Sequence, residues 1–218
     1  MCIRPASHYL ESFFLATGIV ALAEVGDKTQ LLSLLLAARF RRPVPIILGI
    51  FAATLLNHAL AGALGAWLDT LFTPQVMRWV LGVSFVGMAL WMLIPDKLDD
   101  EETTSCRWGV FGTTVVAFFV AEMGDKTQVA TVALAAQYPS YFAVVAGTTL
   151  GMMIANVPAV LLGERVTRIL PVRTIHMITA VIFLVLGLLA LFNVGDTFSP
   201  TAPETPTSVV TPEVGTQQ

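Results

Sequence analysis

Glu24, Asp27 and Lys28 fall within the octapeptide AEVGDKTQ at residues 23–30, and Glu122, Asp125 and Lys126 within AEMGDKTQ at residues 121–128. Each octapeptide sits in the middle of a long apolar run. A single Asp or Lys at the centre of a bilayer costs roughly 2.5–3.5 kcal/mol even on translocon scales. These ionisable side chains are therefore expected to face the protein interior and one another. On a continuous helix, the i, i+3, i+4 spacing puts Glu24, Asp27 and Lys28 on one face, with Leu31 and Leu35 close to the same stripe. Gly26 and Gly124 remove a side chain between the acids. They permit either close backbone approach or a local unwinding that frees carbonyl groups. Thr29, Gln30, Thr127 and Gln128 add neutral oxygens.

Brought together, the two copies hold four carboxylates and two ammonium groups, a formal charge of −2. A low-dielectric setting disfavours that charge. One divalent cation neutralises it, and so do two protons. Exchange of one M²⁺ for two H⁺ follows as the expected chemistry. With oxygen ligands and no Cys or paired His nearby, the site favours Mg²⁺, Ca²⁺ or Mn²⁺ over Zn²⁺ or Cu⁺. The competing reading is a pair of intrahelical Glu–Lys bridges that only hold a bundle together. Asn57 and Asn156 are possible additional ligands or interhelical hydrogen-bonding groups. His58 is open to proton relay, against the simpler role of a hydrogen-bonded core histidine. For His176 an interfacial role suffices.

The elements that must position these groups are membrane spans. The chain is 56% hydrophobic and 12% charged, with mean hydropathy +0.77; soluble domains carry about 25% charged residues. Six segments supply the roughly 20 apolar residues a spanning helix needs: about 10–38, 44–68, 75–94, 108–137, 140–163 and 174–193. The sequence predicts an all-α membrane protein. Its first three-helix unit covers residues 1–94, an acidic loop 95–107 and a second unit 108–195. A Pro/Thr-rich tail, 196–218, is expected to be disordered. Met1–Tyr9 reads as retained, with no cleavable signal segment. Asp96, Asp99, Asp100, Glu101 and Glu102 read as a solvated loop. Pro158 is expected to kink the fifth span, and Gly62, Ala63, Gly65, Gly147 and Gly151 to permit close helix packing.

The motif copies are offset by 98 residues, and residues 23–38 match residues 121–136 at ten of sixteen positions. Each copy opens a unit of three spans. An odd number of spans sends the second unit into the membrane from the opposite side, which makes an inverted-topology repeat. Eight Lys and Arg residues (Arg39, Arg41, Arg42, Lys97, Arg107, Arg165, Arg168 and Arg173) then share one side, leaving Arg4 and Arg78 on the other. Both termini are thus expected on the non-cytoplasmic face. Cys2 and Cys106 fall on opposite sides, so no disulfide is expected.

No P-loop, HExxH or paired nucleophile and base is present, so the sequence is read as a non-enzyme. The doubled hexapeptides EVGDKT and EMGDKT resemble the E-x-G-D-[KR]-[TS] signature of uncharacterised protein family 0016. That family includes Golgi and chloroplast manganese/calcium transporters and bacterial MneA-type manganese exporters. The resemblance runs from Leu10 to Asn193. It implies export of Mn²⁺, and in some members Ca²⁺, in exchange for protons. By position, Glu24, Asp27, Glu122 and Asp125 would be cation ligands and proton carriers. Lys28, Thr29, Lys126 and Thr127 would complete the signatures, beside Gln30 and Gln128. Short loops resemble the bacterial members, implying a multi-pass protein of the bacterial inner membrane. A Ca²⁺/H⁺ exchanger and a small-solute exporter of the related lysine-exporter superfamily stand as alternatives. The partners expected are a divalent metal ion and protons as substrates and the lipid bilayer, with no resident cofactor and no nucleic acid.

Overall fold

The computed structural model describes residues 6–94, 108–138, 140–163 and 172–192. Every regular element among them is an α-helix: α1 Ala6–Glu24, α2 Lys28–Phe40, α3 Pro43–Leu71, α4 Pro74–Trp91, α5 Gly109–Glu122, α6 Lys126–Gln137, α7 Tyr141–Leu162 and α8 Val172–Phe192. The acidic loop, the Pro/Thr-rich tail, Cys2 and Cys106 lie outside the described residues.

Local chemistry sets the boundaries. Arg41 closes α2 in the left-handed region at φ 52°. Prolines begin α3 and α4, where a missing N–H costs nothing. Thr73 and Ser140 cap α4 and α7 by accepting from the N–H groups of Val76 and Ala143.

The expected spans at 44–68, 140–163 and 174–193 correspond to α3, α7 and α8. Pro43–Leu71, Tyr141–Leu162 and Arg173–Phe192 are each long and apolar enough to cross a membrane. The expected continuous helices over 10–38 and 108–137 are not found. The first is two helices bent by 71° at a short break, which together make a fourth candidate span. The second is broken between Glu122 and Lys126 in the same way. Gln75–Trp91 and Gly109–Glu122 are apolar but shorter.

Helices pack by exchange between the halves of the chain. α1 lies along α7 and α3 along α5, while α2 rests on α7, α6 on α3 and α4 on α8. Glycines make the close approaches. A Cβ on Gly147 would come within 2.5 Å of the Phe13 carbonyl oxygen, and one on Gly151 within 2.6 Å of that of Thr17. Gly65 meets the Val132 carbonyl of α6 in the same way. Ala63, by contrast, is exposed. Phe14, Leu48, Leu64, Val83, Leu90, Val181 and Leu188 point outward, an apolar exterior suited to lipid. Pro158 lies inside α7.

Candidate cation site at the paired helix breaks

Both breaks are built alike. Gly26 takes φ +81° and Gly124 φ +77°, a conformation that a Cβ penalises. Of the two readings of these glycines, the structure takes local unwinding. The Asp27 N–H then donates to the Glu24 carbonyl (3.1 Å) and the Asp125 N–H to the Glu122 carbonyl (3.2 Å). Glu24 and Glu122 end α1 and α5, while Asp27 and Asp125 stand at the N-caps of α2 and α6. The single helix face expected for Glu24, Asp27 and Lys28 therefore does not exist, because the break separates Glu24 from the other two. Electrostatically the arrangement is favourable: the N-terminal ends of α2 and α6 support the aspartates, and the C-terminal ends of α1 and α5 favour a cation.

Gln30 and Gln128 hold the breaks rather than offering free oxygens. The Gly26 N–H donates to Gln30 Oε1 (2.9 Å) and the Gly124 N–H to Gln128 Oε1 (2.7 Å). Their amide nitrogens reach across to the other half. Gln30 Nε2 donates to the Ala155 carbonyl at 3.1 Å, and Gln128 Nε2 to Asn57 Oδ1 at 2.5 Å. Asn156 Oδ1 accepts from Ser33 Oγ at 2.8 Å. Each Asn thus uses its oxygen in an interhelical hydrogen bond, the second of the two roles open to it.

The lysines pair across the halves. Lys126 Nζ lies 2.5 Å from Asp27 Oδ1, and Lys28 Nζ lies 3.6 Å from Asp125 Oδ1. The intrahelical Glu–Lys bridge of the competing reading is absent from the described residues' ion pairs. Asp27 is fully buried and Lys126 is 1% exposed, whereas Lys28 is 22% exposed. Charge cancels within each pair and leaves the two glutamates. Both are fully buried. Among the described residues, neither carboxylate oxygen of Glu24 has a hydrogen-bond partner, nor does Glu122 Oε1. Glu122 Oε2 accepts from Thr127 Oγ1 at 2.8 Å, whereas the equivalent hydroxyl of Thr29 is buried with no partner among the described residues.

Carboxylate oxygens of Glu24, Glu122 and Asp125 lie within 4.8 Å of one another. Oxygens that far apart can both sit about 2.4 Å from one ion. Asp27 is not in this cluster; its Oδ1 faces Lys126.

Sequence reasoning missed the groups that service the first break from afar. His176 Nε2 donates to the Val25 carbonyl at 2.8 Å, and Thr179 Oγ1 to the Leu22 carbonyl at 3.2 Å. His176 therefore does more than sit at an interface. Thr179, a polar residue where the last span turns apolar, was the available signal. His58 is fully buried in the core as expected, but among the described residues neither ring nitrogen has the hydrogen-bond partner expected of it.

The chain matches the family described as "Divalent cation/proton antiporter GDT1" over residues 12–100 and again over 110–197. It is 52% identical over 189 residues to a Vibrio cholerae protein named "Putative manganese exporter", covering 86% of this chain and 94% of that one. It is 28% identical to "GDT1-like protein sll0615" of Synechocystis, covering 80% and 93%. It is 23% identical to the "Divalent cation/proton antiporter GDT1" of Saccharomyces cerevisiae, covering 86% of each chain. No solved structure matches it. A match that covers both halves, each with its own break and acidic pair, makes the chain a member of the GDT1 family of divalent cation/proton antiporters.

Proposed function

We propose that this antiporter exports Mn²⁺ from the cytoplasm, exchanging one ion for two protons at Glu24 and Glu122 with Asp125 as a third ligand. The observation that carries the reading is the charge count at the breaks. Lys126 and Lys28 face Asp27 and Asp125, which leaves two buried glutamates carrying the net −2 of the site. One divalent cation or two protons neutralises that pair, so either load lets the site remain in a low-dielectric interior. In this account the aspartates and lysines form a neutral frame, Thr127 orients Glu122, and Gln30 and Gln128 keep both helices open. Asn57 and Asn156 join the halves.

The ligand chemistry supports a hard, oxygen-preferring ion, and the name of the Vibrio relative favours manganese. A cluster spanning 4.8 Å suits a single ion better than an organic solute. Two inverted units, 1–94 and 108–195 about the 95–107 loop, are supported by the exchanged helix packing and by the family match falling once in each half. With the basic side facing the cytoplasm, both termini lie outside the bacterial inner membrane.

The test is Mn²⁺ uptake into inside-out vesicles under an imposed pH gradient, with Ca²⁺ in parallel. Wild type takes up Mn²⁺ in proportion to the gradient, and Glu24→Gln and Glu122→Gln each abolish uptake. Uptake of Mn²⁺ that ignores the pH gradient, or that survives in either variant, contradicts the proposal. Faster Ca²⁺ than Mn²⁺ flux would move the assignment to a Ca²⁺/H⁺ exchanger.

A further inference from the structure

Away from the breaks, a recess of about 210 Å³ opens between the α2–α3 turn and the last turn of α7, lined by Ala37, Arg41, Arg42, Pro43, Val160 and Leu161. We propose that it binds the phosphodiester headgroup of an anionic phospholipid, held between the Arg41 and Arg42 guanidinium groups.

Three observations converge. Both arginines are exposed, and among the described residues no carboxylate pairs with either. Guanidinium forks match phosphate oxygens in geometry as well as charge. Their positions are also fixed. Arg41 is the only non-glycine at positive φ among the described residues, and its N–H bonds back to the Ala37 carbonyl. Arg42 follows at the N-cap of α3, immediately before Pro43. The turn therefore presents two neighbouring cations with little backbone freedom.

Finally, the rest of the lining is apolar, and Val44, Leu161 and Leu162 beside it are 65%, 59% and 60% exposed. A charged pocket with an apolar lip suits a headgroup whose acyl chains continue along α3 and α7. The recess, with room for about seven waters in its 210 Å³, accommodates a phosphodiester with its glycerol. Two guanidinium groups would repel a divalent cation, so the recess is distinct from the cation's own site.

The measurement is lipid retention by the full-length protein, delipidated in detergent and offered phosphatidylglycerol or phosphatidylcholine, read by native mass spectrometry. Wild type retains phosphatidylglycerol about tenfold or more over phosphatidylcholine, each basic side chain contributing roughly a factor of five. R41Q/R42Q loses that preference. R39Q keeps it, because Arg39 lies over the Phe40 ring and outside the lining. Leu161→Trp, which fills the recess and leaves both charges, also loses it while remaining monodisperse. Equal retention of the two lipids by wild type overturns the proposal, as does full retention by R41Q/R42Q. Loss in R39Q as large as in the double variant would mean diffuse surface charge and no site. Displacement of the lipid by inorganic phosphate would mean a free-anion site, again against the proposal.

Discussion

Replacing Lys126 with Met tests whether the crossed ion pairs are the frame of the site. The two pairs are chemically identical but differ in setting. Lys126 and Asp27 meet at 2.5 Å with 1% and 0% of their side chains exposed, while Lys28 and Asp125 meet at 3.6 Å with Lys28 22% exposed. Removing one partner of a fully buried pair leaves an uncompensated charge and costs about 3–5 kcal/mol. Lys126→Met should therefore destabilise the protein about 3–5 kcal/mol, and Lys28→Met less, because Lys28 is partly solvated and its pair is longer, although the Asp125 it leaves behind is 2% exposed. Asp27→Asn combined with Lys126→Met should recover most of the loss, because the buried charge disappears with its partner. Equilibrium unfolding in mixed detergent–SDS micelles, run as a double-mutant cycle, reads all of these. Equal losses from the two lysine variants would refute the assignment of distinct settings. A coupling near zero between Asp27 and Lys126 would refute the pair itself.

Three further outcomes follow from the breaks. A Cβ on Gly124 would meet nothing within 4 Å, so Gly124→Ala should cost only the left-handed conformation, about 1–2 kcal/mol, in the same unfolding assay; a neutral result would mean the break is not held at positive φ. Gln30→Ala should cost about 1–3 kcal/mol by orphaning the Gly26 N–H, and Gln30→Glu should not fully rescue it because the donor to the Ala155 carbonyl is gone. His176→Phe should cost about 0.6–1.7 kcal/mol and speed amide exchange around residues 25–28; unchanged exchange there would remove His176 from the support of the first break.

The candidate site was legible in the sequence because charge is so costly in an apolar run that its repetition at an offset of 98 residues stands out. Three of the spans were legible for the converse reason, being simple apolar stretches. The breaks were not. Whether Gly26 interrupts a helix depends on which groups accept the freed backbone. One acceptor is Gln30, four residues on, but another partner is His176, 151 residues away. The pairing of the lysines was equally hidden. The i, i+4 spacing of Glu24 and Lys28 points to a local bridge, whereas the fold carries each lysine to the other copy's aspartate. Asn57 and Asn156 could be named as candidate ligands or interhelical hydrogen-bonding groups, but which atoms they would meet depends on α3 packing against α6 and α7 against α2.

The central claim, that two glutamates exchange one divalent cation for two protons, makes the exchange electroneutral. Each proton moved down one pH unit supplies about 1.36 kcal/mol, so two should sustain a Mn²⁺ gradient of about 100-fold per unit. The decisive measurement is the steady-state Mn²⁺ ratio across proteoliposomes at fixed ΔpH, with the membrane potential clamped at several values by K⁺ and valinomycin. The account predicts about 100-fold accumulation per pH unit, unchanged by the potential. A ratio near tenfold, or one that moves with the potential, would contradict it.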